Sequence, residues 1–68
     1  MNEVDELRRR RIRHQITALY RRYGLALGQP WEPAPALMAA VQRDWNAIPG
    51  TDEEKDSVLS DMCAELVR

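Results

Sequence analysis

The amino-acid sequence predicts a small all-α domain of three helices, with a long N-terminal helix, assembled as a helical homodimer. Three observations lead there. Apolar residues recur three and four positions apart in three separate stretches, the period of a helix with one buried face. Proline and glycine, which interrupt helices, gather chiefly between those stretches, at 28–35 and 49–50. No stretch alternates apolar and polar residues in the manner of a half-buried strand.

The first helix is expected over about 3–27. That stretch has no proline and few β-branched residues, and Arg, Leu, Ala and Glu all favour helix. Asn2 suits the N-cap, and Glu3, Asp5 and Glu6 suit the positive end of the helix dipole. Asp5 stands four residues before Arg9 and Glu6 four before Arg10, the favourable order for ion pairs along a helix. Ile12, Ile16, Leu19, Tyr20, Tyr23 and Leu27 fall on one stripe. Within it, Ile12, Ile16, Leu19 and Tyr23 alternate steps of four and three, which suits packing against another helix. Gly28 is the expected left-handed cap; Gly24 competes for that role, with Tyr20 and Leu25 placed for the hydrophobic contact that accompanies such a cap.

Residues 28–34 read as a connector, because the closely spaced Pro30, Pro33 and Pro35 favour extended backbone. Trp31 lies in its middle, either capping the end of the core or serving as an anchor for a partner, a role in which Trp is enriched. The second helix is expected over about 35–48, opening on a proline that a first turn tolerates. Its stripe is Leu37, Met38, Val41, Trp45 and Ile48, and Pro49 and Gly50 stop it. The third helix is expected over about 52–67. Thr51 and Glu54 form a capping-box pattern, Asp52 and Glu53 complement the dipole, and Val58, Leu59, Met62, Cys63 and Leu66 supply the buried face.

Helix lengths carry a consequence. At about 1.5 Å per residue the first helix would span roughly 37 Å and the others roughly 20–25 Å. Its first two or three turns should therefore lie beyond the reach of helices 2 and 3, pairing with a second subunit or projecting as a binding arm. A chain of 68 residues also supports only a marginal core. Cys63 is the single cysteine, which rules out an internal disulfide, and one His with one Cys cannot close a structural zinc site. A homodimer is the remaining source of stability. Its expected contacts, shared with the core, are Ile12, Ile16, Leu19, Tyr20, Tyr23, Val41, Trp45, Leu59 and Met62.

The net charge of −1 conceals an asymmetry. Residues 1–31 set seven Arg against Glu3, Asp5 and Glu6, for +4; residues 32–68 set Arg43, Lys55 and Arg68 against eight acids, for −5. Opposite halves favour packing together, within a chain or between chains. No secretory signal pattern opens the chain, and no apolar run approaches the roughly 20 residues that cross a bilayer, so a reducing, cytoplasmic setting without membrane contact is expected. Nine Arg against one Lys, together with the absence of Phe, point to a GC-rich bacterial or phage source.

The run Arg8, Arg9, Arg10, Arg11, Ile12, Arg13, His14 is the most conspicuous feature. The planar guanidinium fork suits carboxylate and phosphate alike. Four consecutive Arg on a helix point in four directions about 100° apart, so they make no single face. Arg10, His14 and Arg21 share one side, and Arg11 and Arg22 another. Three readings stay open: a solvated helix paired with its own acids and with the acidic third helix, docking on an acidic protein surface, and binding to nucleic-acid phosphate. Arg8, Arg9, Arg10, Arg11, Arg13 and Trp31 are the candidate partner-binding residues.

Helices 2 and 3 with their short turn suggest a helix-turn-helix, but the would-be recognition helix opens with Asp52, Glu53, Glu54 and Asp56, which phosphate would repel. No sustained heptads follow the arginines, against a basic zipper. Tyr20 and Tyr23 flank Arg21 and Arg22, a pattern compatible with base stacking, but both fall on the apolar stripe and read first as core. His14 reads as a surface residue and Cys63 as a small core residue. No nucleophile–base set, phosphate loop or metal spacing appears, so no cofactor and no enzymatic activity are expected. In size and composition the chain resembles the small accessory proteins of phages and plasmids that inhibit a host regulator by occupying one of its surfaces. That resemblance implies regulatory or adaptor-like protein binding and carries no residue roles. Nucleic-acid binding through the Arg-rich first helix is the alternative.

Overall fold

The computed structural model describes residues 3–28 and 34–67, with side chains from Asp5 onward. Its elements are α1 (Glu3–Arg22), α2 (Pro35–Ala47) and α3 (Asp52–Leu66), and no strand occurs among the described residues. The connector residue Trp31 and the N-cap candidate Asn2 lie outside the described residues.

Helix α1 stops at Arg22 instead of running to 27, and its cap is Gly24, not Gly28. Gly24 takes φ 67°, the left-handed conformation glycine adopts without a steric penalty. The Leu25 amide donates to the Tyr20 carbonyl at 2.8 Å and the Gly24 amide to the Arg21 carbonyl at 3.3 Å. Those two bonds make a Schellman motif, and Tyr20 and Leu25 both pack on the core. The apolar stripe misled because it reports burial, not helicity: Leu27 also packs on the core, from outside the helix.

Helix α2 begins on Pro35 with Ala34 as N-cap, and no side chain caps it. It ends when Ile48 turns extended and donates its amide to the Trp45 carbonyl at 3.1 Å. The following turn requires glycine twice over. Gly50 has φ 117°, and a Cβ there would sit 3.2 Å from Ile12 Cδ1. At the start of α3, Thr51 Oγ1 accepts from the Glu54 amide at 3.1 Å. Only this half of the capping box is seen. The Glu54 carboxylate turns instead to Arg8, at 2.9 Å.

Helix α1 packs against both of the others. Helix α2 runs antiparallel to it, since Asp44 meets Arg22 and Tyr23 while Gly50 lies beside Ile12. Helix α3 runs in the same direction as α1, with Glu54 near its start on Arg8 and Glu65 near its end on Arg13. The buried core is Ile12, Ile16, Leu19, Ile48, Val58 and Met62. Truncating a buried Ile of this kind to Ala costs about 2–5 kcal/mol.

Several expected core residues lie further out. Tyr20, Tyr23, Val41, Trp45 and Leu59 are only half-buried around the core, and α2 contributes no fully buried residue. Met38 is 49% exposed and Leu66 58% exposed. The register explains Met38: Asp44 already meets the last turn of α1, so the first turns of α2 extend past the end of that helix. The stripe Ile12, Ile16, Leu19 is enclosed by the chain's own helices, which removes it as an exposed face for a second copy.

Lys55 is the one charged side chain buried among the described residues, at 3% exposure. Its ammonium donates to the carbonyls of Trp45 at 3.0 Å and Ile48 at 3.3 Å, and stands 5.6 Å from the centroid of the Trp45 ring. Asp52 follows at 3.8 Å. A cation thus sits where the dipole of α2 ends and its last carbonyls lack helical partners. The aromatic face adds a cation–π contribution.

Candidate functional site

The arginine run was expected to lie beyond the reach of helices 2 and 3. The structure corrects this: α3 covers one flank of it. Arg9 Nη2 donates to Asp61 Oδ2 at 2.7 Å and to Ser57 Oγ at 3.2 Å. Arg13 holds Glu65 through both nitrogens, with Nη1 2.9 Å from Oε1 and Nη2 bonded to Oε2. Glu65 raises the Arg13 pKa, first by these hydrogen bonds and then by charge. Arg9 faces α3 and binds Asp61 there. The acids of α3 and the arginines of α1 are each spaced four apart, so two helices running in the same direction bring both pairs together.

Near the end of α1, Asp44 accepts from Tyr23 Oη at 2.6 Å and from Arg22 Nη1 at 3.1 Å. The Tyr23 hydroxyl, with help from Arg22, holds the Asp44 carboxyl below the usual carboxylate range. The same hydrogen bond to Asp44 raises the Tyr23 hydroxyl. Burial raises Tyr20 as well. Both tyrosines pack against the core, and Tyr23 also pairs with Asp44.

What remains is sharply sorted. Arg10, Arg11, Arg21 and His14 are exposed and make no hydrogen bond or ion pair with another described residue. Arg10, His14 and Arg21 lie on the side of α1 opposite the buried Ile12, Ile16 and Leu19, with Arg10 also at the edge of the α1–α3 seam. Arg11 lies on the flank nearest the α2–α3 turn. There a groove of about 420 Å³ is lined by Leu7, Arg8, Arg11, Ile12, Gln15 and Pro49. Leu7 is 54% exposed on its edge. A shallower depression of about 230 Å³ follows the α1–α3 seam, but its Arg9 and Arg13 are already engaged by Asp61 and Glu65.

Of the expected partner-binding set, then, Arg8, Arg9 and Arg13 are tied to α3, Arg10 and Arg11 face outward, and Trp31 lies outside the described residues. Leu7 lies off the main stripe of α1, and an apolar residue in that position is itself a signal of a second apolar contact. Lys55 was counted only as charge, although it stands three before Val58 and seven before Met62, on the buried face of α3.

Cys63 is half-buried and free. Among the described residues no group of three or more His, Cys, Asp or Glu could hold a metal ion, and no helix is long and apolar enough to cross a membrane. No protein-family model matches the chain, and no curated protein and no solved structure is significantly similar to it.

Proposed function

We propose that this chain is a small regulatory or adaptor protein that works by binding another protein, not by catalysis, and that it does so through the outward side of α1. The observation that carries the reading is the sorting of the arginines. Those that fold the domain are paired with Asp61, Glu65, Glu54 and Asp44, while Arg10, Arg11 and Arg21 remain exposed without a described partner. Unpaired guanidiniums on a rigid helix fit carboxylates on an acidic protein surface. Inhibition of a regulator by occupying its surface is the mode we propose. The lone thiol fits a reducing compartment such as the cytoplasm.

A homodimer belongs to the same reading, but not through the Ile12, Ile16, Leu19 stripe. The half-covered face of α2, with Met38, Val41 and Trp45, is the surface a second copy would use. Light scattering at about micromolar concentration tests this; a monomer at about 1 mM removes it.

Phosphate binding by Arg10, His14 and Arg21 is the second reading, favoured by the absence of any acid from 8 to 22. One variant pair separates the two. Arg10→Gln with Arg11→Gln keeps helix propensity and should lower binding to a partner captured from the native host at least tenfold, or about 1.4 kcal/mol. Wild-type affinity for duplex DNA or RNA that survives physiological salt would put the phosphate reading first, because such binding ordinarily weakens steeply with salt.

A further inference from the structure

We propose that the groove between α1 and the α2–α3 turn is the docking point for an acidic helical segment of a partner protein, which inserts one apolar anchor side chain. This rests on the protein-binding reading and specifies the surface and the chemistry of the occupant. The groove has an apolar floor and edge, made by Ile12, Pro49 and the exposed Leu7. Its rim carries Arg8 and Arg11, one helical turn apart, with Gln15 one turn further along. At about 420 Å³ it has room for a single large apolar side chain and its neighbours.

Charge decides the occupant. Arg11 has no partner among the described residues, and Arg8, bound by Glu54, keeps its side chain 55% exposed. Glu54 and Asp5 lie toward the other side of Arg8, along a separate depression with Arg9. A segment with an apolar anchor and carboxylates one turn to either side would therefore meet an apolar floor and two guanidiniums together. A nucleic acid offers phosphate to the arginines but has no projecting apolar side chain to seat between them. The cleft of about 200 Å³ between α2 and α3, lined by Val41, Trp45 and Leu59 over Leu19 and Tyr20, has no charged rim to select an occupant.

The test uses the full chain, isotope-labelled, titrated with a designed Glu-rich helical peptide of about 16 residues bearing one central Leu. Two control peptides replace that Leu by Ala, or the Glu residues by Gln. The expected result is amide shifts at Leu7, Arg8, Arg11, Gln15 and Gly50. Affinity should fall at least tenfold for each control peptide, for Leu7→Gln and for Arg11→Gln. Both substitutions are at exposed positions, and unchanged circular dichroism would separate lost docking from lost folding.

Several results would overturn the groove. One is no binding up to about 1 mM peptide. Another is a neutral peptide bound as well as the acidic one. A third is concentration-dependent shifts at the same residues without peptide, which would make a second copy the occupant. Shifts confined to Arg10, His14 and Arg21 would reject the groove and leave protein binding by α1 standing. Duplex DNA displacing the peptide at physiological salt would reject both.

Discussion

The two flanks of α1 use the same residue type for opposite ends. Toward α3, Arg9 and Arg13 are bound by Asp61 and Glu65 and fix how the two helices lie. Toward the α2–α3 turn, Arg11 stands beside the exposed Leu7 and finds no described partner. Successive side chains on a helix differ in direction by about 100°, so adjacent arginines are separated into structural and available sets by rotation alone. An Arg run is therefore not one site. Its surface pairs are worth about 0–1 kcal/mol each, so the paired flank specifies register more than it stabilises.

Both flanks rest on one shared floor. Ile16 is fully buried, and Ile16→Asp places an unpaired carboxylate beneath both flanks, at a cost of several kcal/mol. Thermal melting followed by circular dichroism should show an unfolded chain; a wild-type melt would mean the buried face of α1 is misassigned. Lys55→Ala comes next. It leaves the Trp45 and Ile48 carbonyls without their cation and loosens the turn that carries Pro49, costing about 1.5–3 kcal/mol in chemical denaturation. Lys55→Met, which keeps the packing of the stem, should lose less; equal losses would show that the charge contributes little.

Smaller effects sharpen the contrast between flanks. Arg9→Gln with Arg13→Gln should lower stability slightly, less at high salt, without weakening partner binding. A loss of binding at unchanged stability would reverse the assignment of the two flanks. At the end of α1, Asp44 has a depressed pKa, so its contribution is present above the usual carboxylate value and is lost as pH falls through the lower folded value. Tyr23 is raised, so its contribution is present below the ordinary tyrosine value of about 10 and is lost as pH rises through the folded one. Asp44→Asn should flatten the acid limb of stability against pH; an unchanged limb would place the acid sensitivity elsewhere. Smallest of all, Arg10→Gln with Arg11→Gln should leave the melting temperature within error. A clear drop would mean that these arginines hold contacts in the fold.

Three helices, the stop at Pro49–Gly50 and the Thr51 cap were legible because each depends on residues within one or two turns. So was the buried Ile12, Ile16, Leu19 face. The end of α1 was harder, since Gly24 and Gly28 both satisfy the local chemistry of a cap, and both take positive φ. Hydrogen bonds of the Leu25 and Gly24 amides decide in favour of the first. The same limit applied to α2, whose apolar spacing looked like a full core stripe while its first turns extend past the end of α1.

Local pattern, then, was enough for the elements, their order and the face that α1 buries, because helix period and capping are short-range properties of the chain. Which arginine meets which acid was not, because Arg9 and Asp61 are separated by most of the chain and meet only when α3 lies along α1 in the same direction. Nor was the place of Lys55, which reads as a surface residue until the end of α2 presents it with two carbonyls and an indole ring. Pairing and burial of charge depend on the relative placement of helices, and that is set by packing at long sequence separation. The groove at Leu7 and Arg11 follows for the same reason: it exists where the α2–α3 turn comes up beside Ile12, a juxtaposition no stretch of the sequence contains.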